Sequence, residues 1–273
     1  MYLGYIQISE SDRNKEQTMY LVVRRERFEK IKKGTEFELN KEGKEVKQKI
    51  ITICERKGGK WWRSYTERQY NATKNLKGRE PFIFQKKIMK KILKTAKKKP
   101  SNSGTFFLYG EPGVGKSLMT FLFAKEVNGY FCNSWSPIDA SDQFSKMYSS
   151  ISPTEEKPLV LVLEEADKIL YKLINNEIEE HKNFDKEVVM KSHWNGLLDK
   201  ITDLGYYPNV YFIITSNSPL EDITKLDSSL LRKGRIDKSF HITMEMLVMG
   251  IRNKMKKQFK TCLDEIIQLK KKN

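Results

Sequence analysis

Cysteine is scarce. Cys54, Cys132 and Cys262 are the only three in 273 residues, far apart and without metal-ligand spacing. That excludes a disulfide framework and a thiolate metal cluster, and it reads as reduced thiols in a reducing compartment. No apolar run approaches the roughly 20 residues of a membrane span, and the opening MYLGYIQISESDRNK has no basic flank followed by an apolar stretch. Neither a transmembrane segment nor a secretory signal is expected, so the reading is a soluble intracellular protein. Eight prolines and 15 glycines are too few for collagen or low complexity, while 38% hydrophobic residues suffice to bury a core. The length leaves room for one substantial core and a small accessory module.

Acid is also short: 35 Asp and Glu face 51 Lys and Arg, a net charge of +16. The excess is clustered. Residues 86–99 hold eight lysines and no acid, and residues 252–272 hold eight Lys or Arg against Asp264 and Glu265. Such runs either form solvated faces or follow phosphate backbones. A nucleic-acid-stimulated motor or loader is therefore the alternative function. Lysine without arginine forks or stacking aromatics favours the solvated face.

What is present divides in three. In residues 1–80, Tyr2–Ser9, Met19–Arg24, Thr35–Leu39 and Lys49–Cys54 are short β-branched or aromatic runs. Breakers at Lys33-Gly34 and Glu42-Gly43 separate them, as in hairpins. A β-rich accessory domain is expected there, with Trp61-Trp62 packing it onto a larger body and a polar linker at Asn71–Glu80. Residues 81–242 change period. Pro81 opens a helical pattern through Phe84, Ile88, Ile92 and Leu93, which Lys99-Pro100 stops. Continuously apolar runs follow at Thr105–Tyr109, Tyr130–Asn133, Leu159–Leu163, Val210–Thr215 and Lys238–Ile242. Helical patterns lie between them at Lys116–Val127, Asp142–Ser149 and Lys186–Leu204. Strands buried on both faces and separated by helices predict an α/β fold with a parallel sheet flanked by helices. Residues 243–273 read as a short, basic, helical lid.

The strongest local signal is Gly110-Glu111-Pro112-Gly113-Val114-Gly115-Lys116-Ser117, which satisfies G-x-x-x-x-G-K-[ST] between a strand and a helix. The glycines let backbone N–H groups point at phosphate oxygens, and the helix that starts at Ser117 and Leu118 adds its positive end. Lys116 would reach the β/γ-phosphates, and the Ser117 hydroxyl would ligate Mg²⁺. The expected ligands are ATP and Mg²⁺.

Two glutamates end the run Leu159–Leu163. Ligands bind at the carboxyl ends of strands in open α/β sheets, so Glu164 is expected to support the metal and Glu165 to polarise the attacking water. Aspartate is commoner at the metal position, and Glu164 departs from that. Asn217 follows the run Val210–Thr215, where an amide can sense the γ-phosphate. Arg232 and Arg235 then flank Lys233-Gly234. Planar guanidinium groups suit bidentate contact with developing phosphoryl charge, and such fingers are worth roughly 10³–10⁵ in rate.

Taken in order, GEPGVGKS, LVLEEAD, ITSN and LLRKGRID resemble the AAA subgroup of P-loop ATPases over about residues 100–242. Within that group the chain is most similar to the mitochondrial chaperone that assembles respiratory complex III and its relatives. Leu163–Asp167 stands where they have an LEDxD-type motif, Asn195–Leu198 matches their GLL-containing helix, and Leu231–Asp237 their LIRPGRxD-like run. Lys233 replaces the usual proline, their membrane anchor has no match here, and Lys168–Ser192 forms a long charged insertion. The resemblance implies a homo-oligomeric ring of roughly six or seven subunits that remodels or translocates a protein client. ATP would lie between protomers, with Arg232 and Arg235 donated by the neighbour. Trp135 is the nearest aromatic to a substrate-threading loop, but no aromatic–apolar–Gly triplet surrounds it, so core packing is its expected role.

Overall fold

The computed structural model describes residues 49–58, 64–76 and 78–270, together with the backbone of four strands within residues 3–47. It separates into two units at Lys49/Ile50. In the first unit β1 (Leu3–Ser11) and β2 (Asn14–Val22) pair antiparallel from Leu3↔Val22 to Ser11↔Asn14, and β3 (Phe37–Leu39) pairs antiparallel with β4 (Glu45–Lys47). The hairpin breakers Lys33-Gly34 and Glu42-Gly43, and Trp61-Trp62, lie outside the described residues.

The second unit is built on a seven-stranded sheet. Its strands are β5 (Ile50–Lys57), β6 (Ser64–Asn71), β7 (Gly104–Tyr109), β8 (Tyr130–Cys132), β9 (Leu159–Leu163), β10 (Val210–Ser216) and β11 (Lys238–His241). The order across the sheet is β11-β7-β10-β9-β8-β5-β6. Every neighbouring pair is parallel except β5–β6. All five strands after residue 100 fall on the predicted runs; interior β7, β9 and β10 are almost wholly buried, as a parallel strand covered on both faces must be, whereas edge strand β11 is largely exposed.

Helices cover both faces. On one side lie α1 (Ala72–Asn75), α2 (Ile83–Ala96) and α3 (Lys116–Glu126); on the other α4 (Phe144–Ile151), α5 (Ala166–Ile174) and α6 (Lys191–Thr202). The two-residue period of a strand divides β9 between them. Leu159, Leu161 and Leu163 pack with Phe144, Leu170 and Trp194, whereas Val160 and Val162 pack with Ile92, Met119 and Phe123. This is the α/β P-loop nucleotide-binding fold that the sequence predicts. Short α7 (Leu220–Leu226) and long α8 (Met244–Lys270) complete the unit.

The expected division at residue 80 differs from the observed one. β5 and β6 belong to the large sheet, with Thr52↔Tyr130 and Ile53↔Phe131 pairing β5 to β8. The Ile51–Cys54 stretch is buried on both faces, so it needs a helix layer on each side. A polar lock reinforces the joint. Arg56 Nη1 donates to Asp139 at 2.7 Å and to Asp142 at 2.6 Å, while the Tyr65 hydroxyl donates to the other Asp142 oxygen at 2.6 Å. Asp142 is completely buried, so these partners are what make its charge tolerable there.

Two further expectations change. Lys168–Ile174 is the body of α5 and Lys191-Ser192 opens α6, so only residues 175–190 of the supposed insertion lie outside helices. That loop is packed: Val188 donates its N–H to Pro137 O at 2.8 Å, and Glu187 accepts the Phe144 N–H at 3.0 Å, capping α4. The C-terminal lid is one 27-residue helix whose Gly250 lies so close to Phe82 that an added Cβ would meet the ring at 2.8 Å. Among the described residues no helix is long and apolar enough to cross a membrane.

Candidate functional site

The carboxyl ends of β7, β9 and β10 converge on a cleft of about 290 Å³, lined by Gly113, Lys116, Ser117, Glu164, Glu165 and Asn217 among others. β7 gives way to α3 through the glycine loop, and the loop's shape explains its composition. Gly110, Gly113 and Gly115 have φ of +151°, +82° and +89°, values that side chains rarely adopt. Space also matters at Gly110, where an added Cβ would sit 2.0 Å from Ile242 O. The start of α2 braces the loop from outside: Gln85 accepts the Phe82 N–H at 2.9 Å and approaches Gly115 O at 3.5 Å.

Lys116 turns back into this cradle. Its Nζ donates to Gly110 O at 2.6 Å, to Glu111 O at 3.0 Å and to Asn217 Oδ1 at 2.9 Å. All three acceptors are neutral. Burial pushes the ammonium below its ordinary range, opposed by the more distant charges of Asp167 and Glu165. A cation held by dipoles alone in a nest of amides fits an anion. Phosphate oxygens fit this cradle, whose Cβ-free positions let the backbone approach closely.

Glu164 is half-buried at the lip, and Ser117 is exposed at the start of α3. With both in the cleft, hard oxygen donors suited to Mg²⁺ are present beside the phosphate nest. Glu165 caps α5 in a left-handed conformation, φ +50°, and its N–H donates to Thr215 Oγ1 at 3.3 Å. Its exposed carboxylate pairs with Lys168, whose hydrogen bond holds it below the usual carboxylate range.

Asn217 is therefore next to Lys116, as its place after β10 suggests. One residue that holds it there escaped sequence reasoning. Asp167 is buried, with its oxygens 3.4 Å from the Asn217 N–H and 3.5 Å from the Ser218 hydroxyl. The Tyr171 hydroxyl in turn donates to Ser218 Oγ at 3.3 Å. Asp167 lies in the same acidic motif as the two glutamates, and its i,i+4 relation to Tyr171 was the available signal.

The arginine pair is not brought into this cleft. Arg232 is exposed, and its side chain makes no ion pair with a described residue. Arg235 is buried: Nε and Nη2 grip Asp199 of α6 at 2.8 and 3.1 Å, and Nη1 donates to Ser229 O. This corrects the expectation that both arginines are free for a neighbouring protomer. Arg235 cannot leave without stranding a partly buried Asp199. The same loop is anchored at Asp227, which accepts from Lys191 at 2.8 Å and from the Ser229 N–H at 2.9 Å. Trp135 is buried, donates to Asp142 O at 3.1 Å, and meets Phe144 and Phe212 edge-on, so it packs the core as expected.

A glycine cradle between β7 and α3, two glutamates ending β9 and an amide ending β10 define a P-loop nucleotide-binding protein. The sequence profile of the ATPase family associated with various cellular activities (AAA) matches residues 106–244, just over half of the chain. The chain belongs to that AAA family of ATPases, whose members typically bind ATP with Mg²⁺.

Proposed function

We propose that this AAA protein hydrolyses ATP at the interfaces of a homo-oligomeric ring and uses the cycle to remodel or move a protein client. The observation that carries the reading is the 2.9 Å contact between Lys116 Nζ and Asn217 Oδ1, which joins the phosphate loop to the β10 tip. An ATP γ-phosphate entering the nest displaces Lys116 from the two loop carbonyls and comes to rest beside that amide. The loop amides and Lys116 bind the triphosphate, with Gly110–Leu118 as the binding segment. Ser117 and Glu164 hold Mg²⁺, which neutralises charge on the β- and γ-oxygens when bound. Glu165, released from Lys168, orients the attacking water and accepts its proton. Arg232 reaches the neighbour's phosphates, and Arg235 fixes the loop that presents it.

The similarity to complex III assembly chaperones supports a folded or assembling protein as client. Kinetic mixing tests the shared site. Glu165→Gln and Arg232→Ala are each expected to abolish turnover, and an equal mixture to regain a fraction, because some interfaces then combine an intact glutamate with an intact arginine. A mixture that stays inactive, with neither variant dominant over wild type, overturns the shared site. Calorimetry that detects no magnesium-dependent ATP binding overturns the nucleotide reading altogether.

A further inference from the structure

The two lysine runs, over 150 residues apart in sequence, meet in the fold. Lys86 of α2 lines one cavity of about 340 Å³ with Lys254 and Lys257 of α8, and a second cavity with Lys90 of its own helix. Gly250 against Phe82 is the contact that seats one helix on the other. The buried side of α2 is Gln85, Ile88, Met89, Ile92 and Ala96, and its lysines project opposite, all exposed as far as Lys98. Lys86, Lys90, Lys94 and Lys97 form one stripe along it.

An ordinary solvated helix alternates bases with acids three or four residues apart. This one has no acid, so Lys86/Lys90, Lys87/Lys91 and Lys90/Lys94 are like-charged i,i+4 pairs that work against the helix. None of these lysines has an ion pair with another described residue. Glu80, 3.6 Å from Lys125, lines both cavities, and Glu126 lines the second. Lys99 is different: it pairs with Asp237 at 2.6 Å and tethers the helix end. Repulsion between like charges along one helix is what a polyanion relieves.

We infer that the α2–α8 face binds the phosphate backbone of duplex nucleic acid without reading its sequence. The stripe from Lys86 to Lys97 is about 16 Å long at 1.5 Å per residue, and a duplex presents roughly nine phosphates over that length. Lysines are point charges that position a backbone but carry no base code. Single strands are usually held on aromatic platforms; the α2 stripe has no exposed aromatic residue, and the exposed Phe259 of α8 is spaced onto the side away from Lys254 and Lys257. A lipid surface is less suited to this face: Ile83 is the sole exposed large apolar side chain on α2, and the exposed Met244, Val248, Ile251, Met255 and Phe259 of α8 are spaced onto the side of that helix away from Gly250, Lys254 and Lys257.

The test is fluorescence anisotropy of the full-length chain, without nucleotide, on labelled 20-base-pair duplexes of two unrelated sequences in 50–300 mM KCl. The expected result is equal affinity for both and a log–log salt slope near −4.5, for about five neutralised phosphates at 0.9 each. Lys86→Gln/Lys90→Gln/Lys94→Gln should flatten the slope by about 2.7, and Lys254→Gln/Lys257→Gln by about 1.8. Thermal melting of both variants verifies that they fold. Lys116→Ala should bind the duplexes like wild type, which separates this face from the nucleotide cleft. The inference is overturned by no binding at 50 mM KCl, or by a slope indifferent to either variant. Tighter binding of the single strand, or capture by phosphatidylserine vesicles without duplex binding, overturns it equally.

Discussion

Two buried cations, Lys116 and Arg235, are held in opposite ways. Lys116 rests on two carbonyls and an amide oxygen, so its charge is solvated but not neutralised. Arg235 faces a carboxylate bidentately and a carbonyl besides, so its charge is already matched by a partner. Burial alone would rank the two alike, at 9% and 7% exposed. The sign of the partners separates a cation waiting for an anion from one that ties a loop to a helix. Three residues from Arg235, exposed Arg232 lacks that tie, which is why the proposed finger is assigned to it.

Mutation can break this comparison most forcefully at Arg232. Replacing it with Ala should lower kcat by about 10³ or more while leaving the melting temperature within the scatter of surface substitutions. Equal losses of stability at Arg232→Ala and Arg235→Ala would erase the distinction. Next in size, Arg235→Ala should cost about 3 kcal/mol in urea unfolding, since it leaves Asp199 partly buried and unpaired. Arg235→Lys should recover little, because an ammonium cannot reproduce the fork.

The arginine loop also carries a pH signature. Lys191 and the Ser229 hydroxyl hold the Asp227 carboxyl down to about 2, against about 3.9 in an unfolded chain. A depressed folded value means the stabilisation is complete above about pH 4 and lost as pH falls toward 2. It amounts to about 2 kcal/mol. Asp227→Asn should remove that component from the acid-unfolding curve. On the cleft side, Asp167→Asn should reduce kcat about tenfold with ATP affinity little changed, as expected of a group that positions Asn217. A loss confined to KM would instead assign Asp167 to binding. The smallest effect is Gly196→Ala: an added Cβ meets nothing within 4 Å, so α6 should gain up to about 1 kcal/mol of helix propensity.

The cleft was legible because its parts are local. The glycine loop, Glu164-Glu165 and Asn217 each follow a strand whose apolar run marks its own end, and β9 spans the predicted Leu159–Leu163. The arginine loop was not legible, since Arg235 finds Asp199 36 residues upstream and no pattern in either segment announces the pair. Assignment of β5 failed for a related reason. Its short β-branched run beyond the Glu42-Gly43 breaker suggested a hairpin of an accessory domain; it does form a hairpin, with β6, but pairing with β8 is a property of the closed sheet. The helical reading of Lys186–Leu204 started early because Glu187 and Val188 serve α4 and Pro137 instead.

The position of β5 carries a consequence for how the chain is made. Arg56 precedes Ser134, whose hydroxyl accepts its N–H, by 78 residues. At a synthesis rate of roughly 5–20 residues per second, the hairpin leaves the ribosome several seconds before the strand that will shelter it. During that interval Ile51 and Ile53 offer an unpaired, apolar edge to whatever lies nearby. The polar lock on Asp142 closes that window.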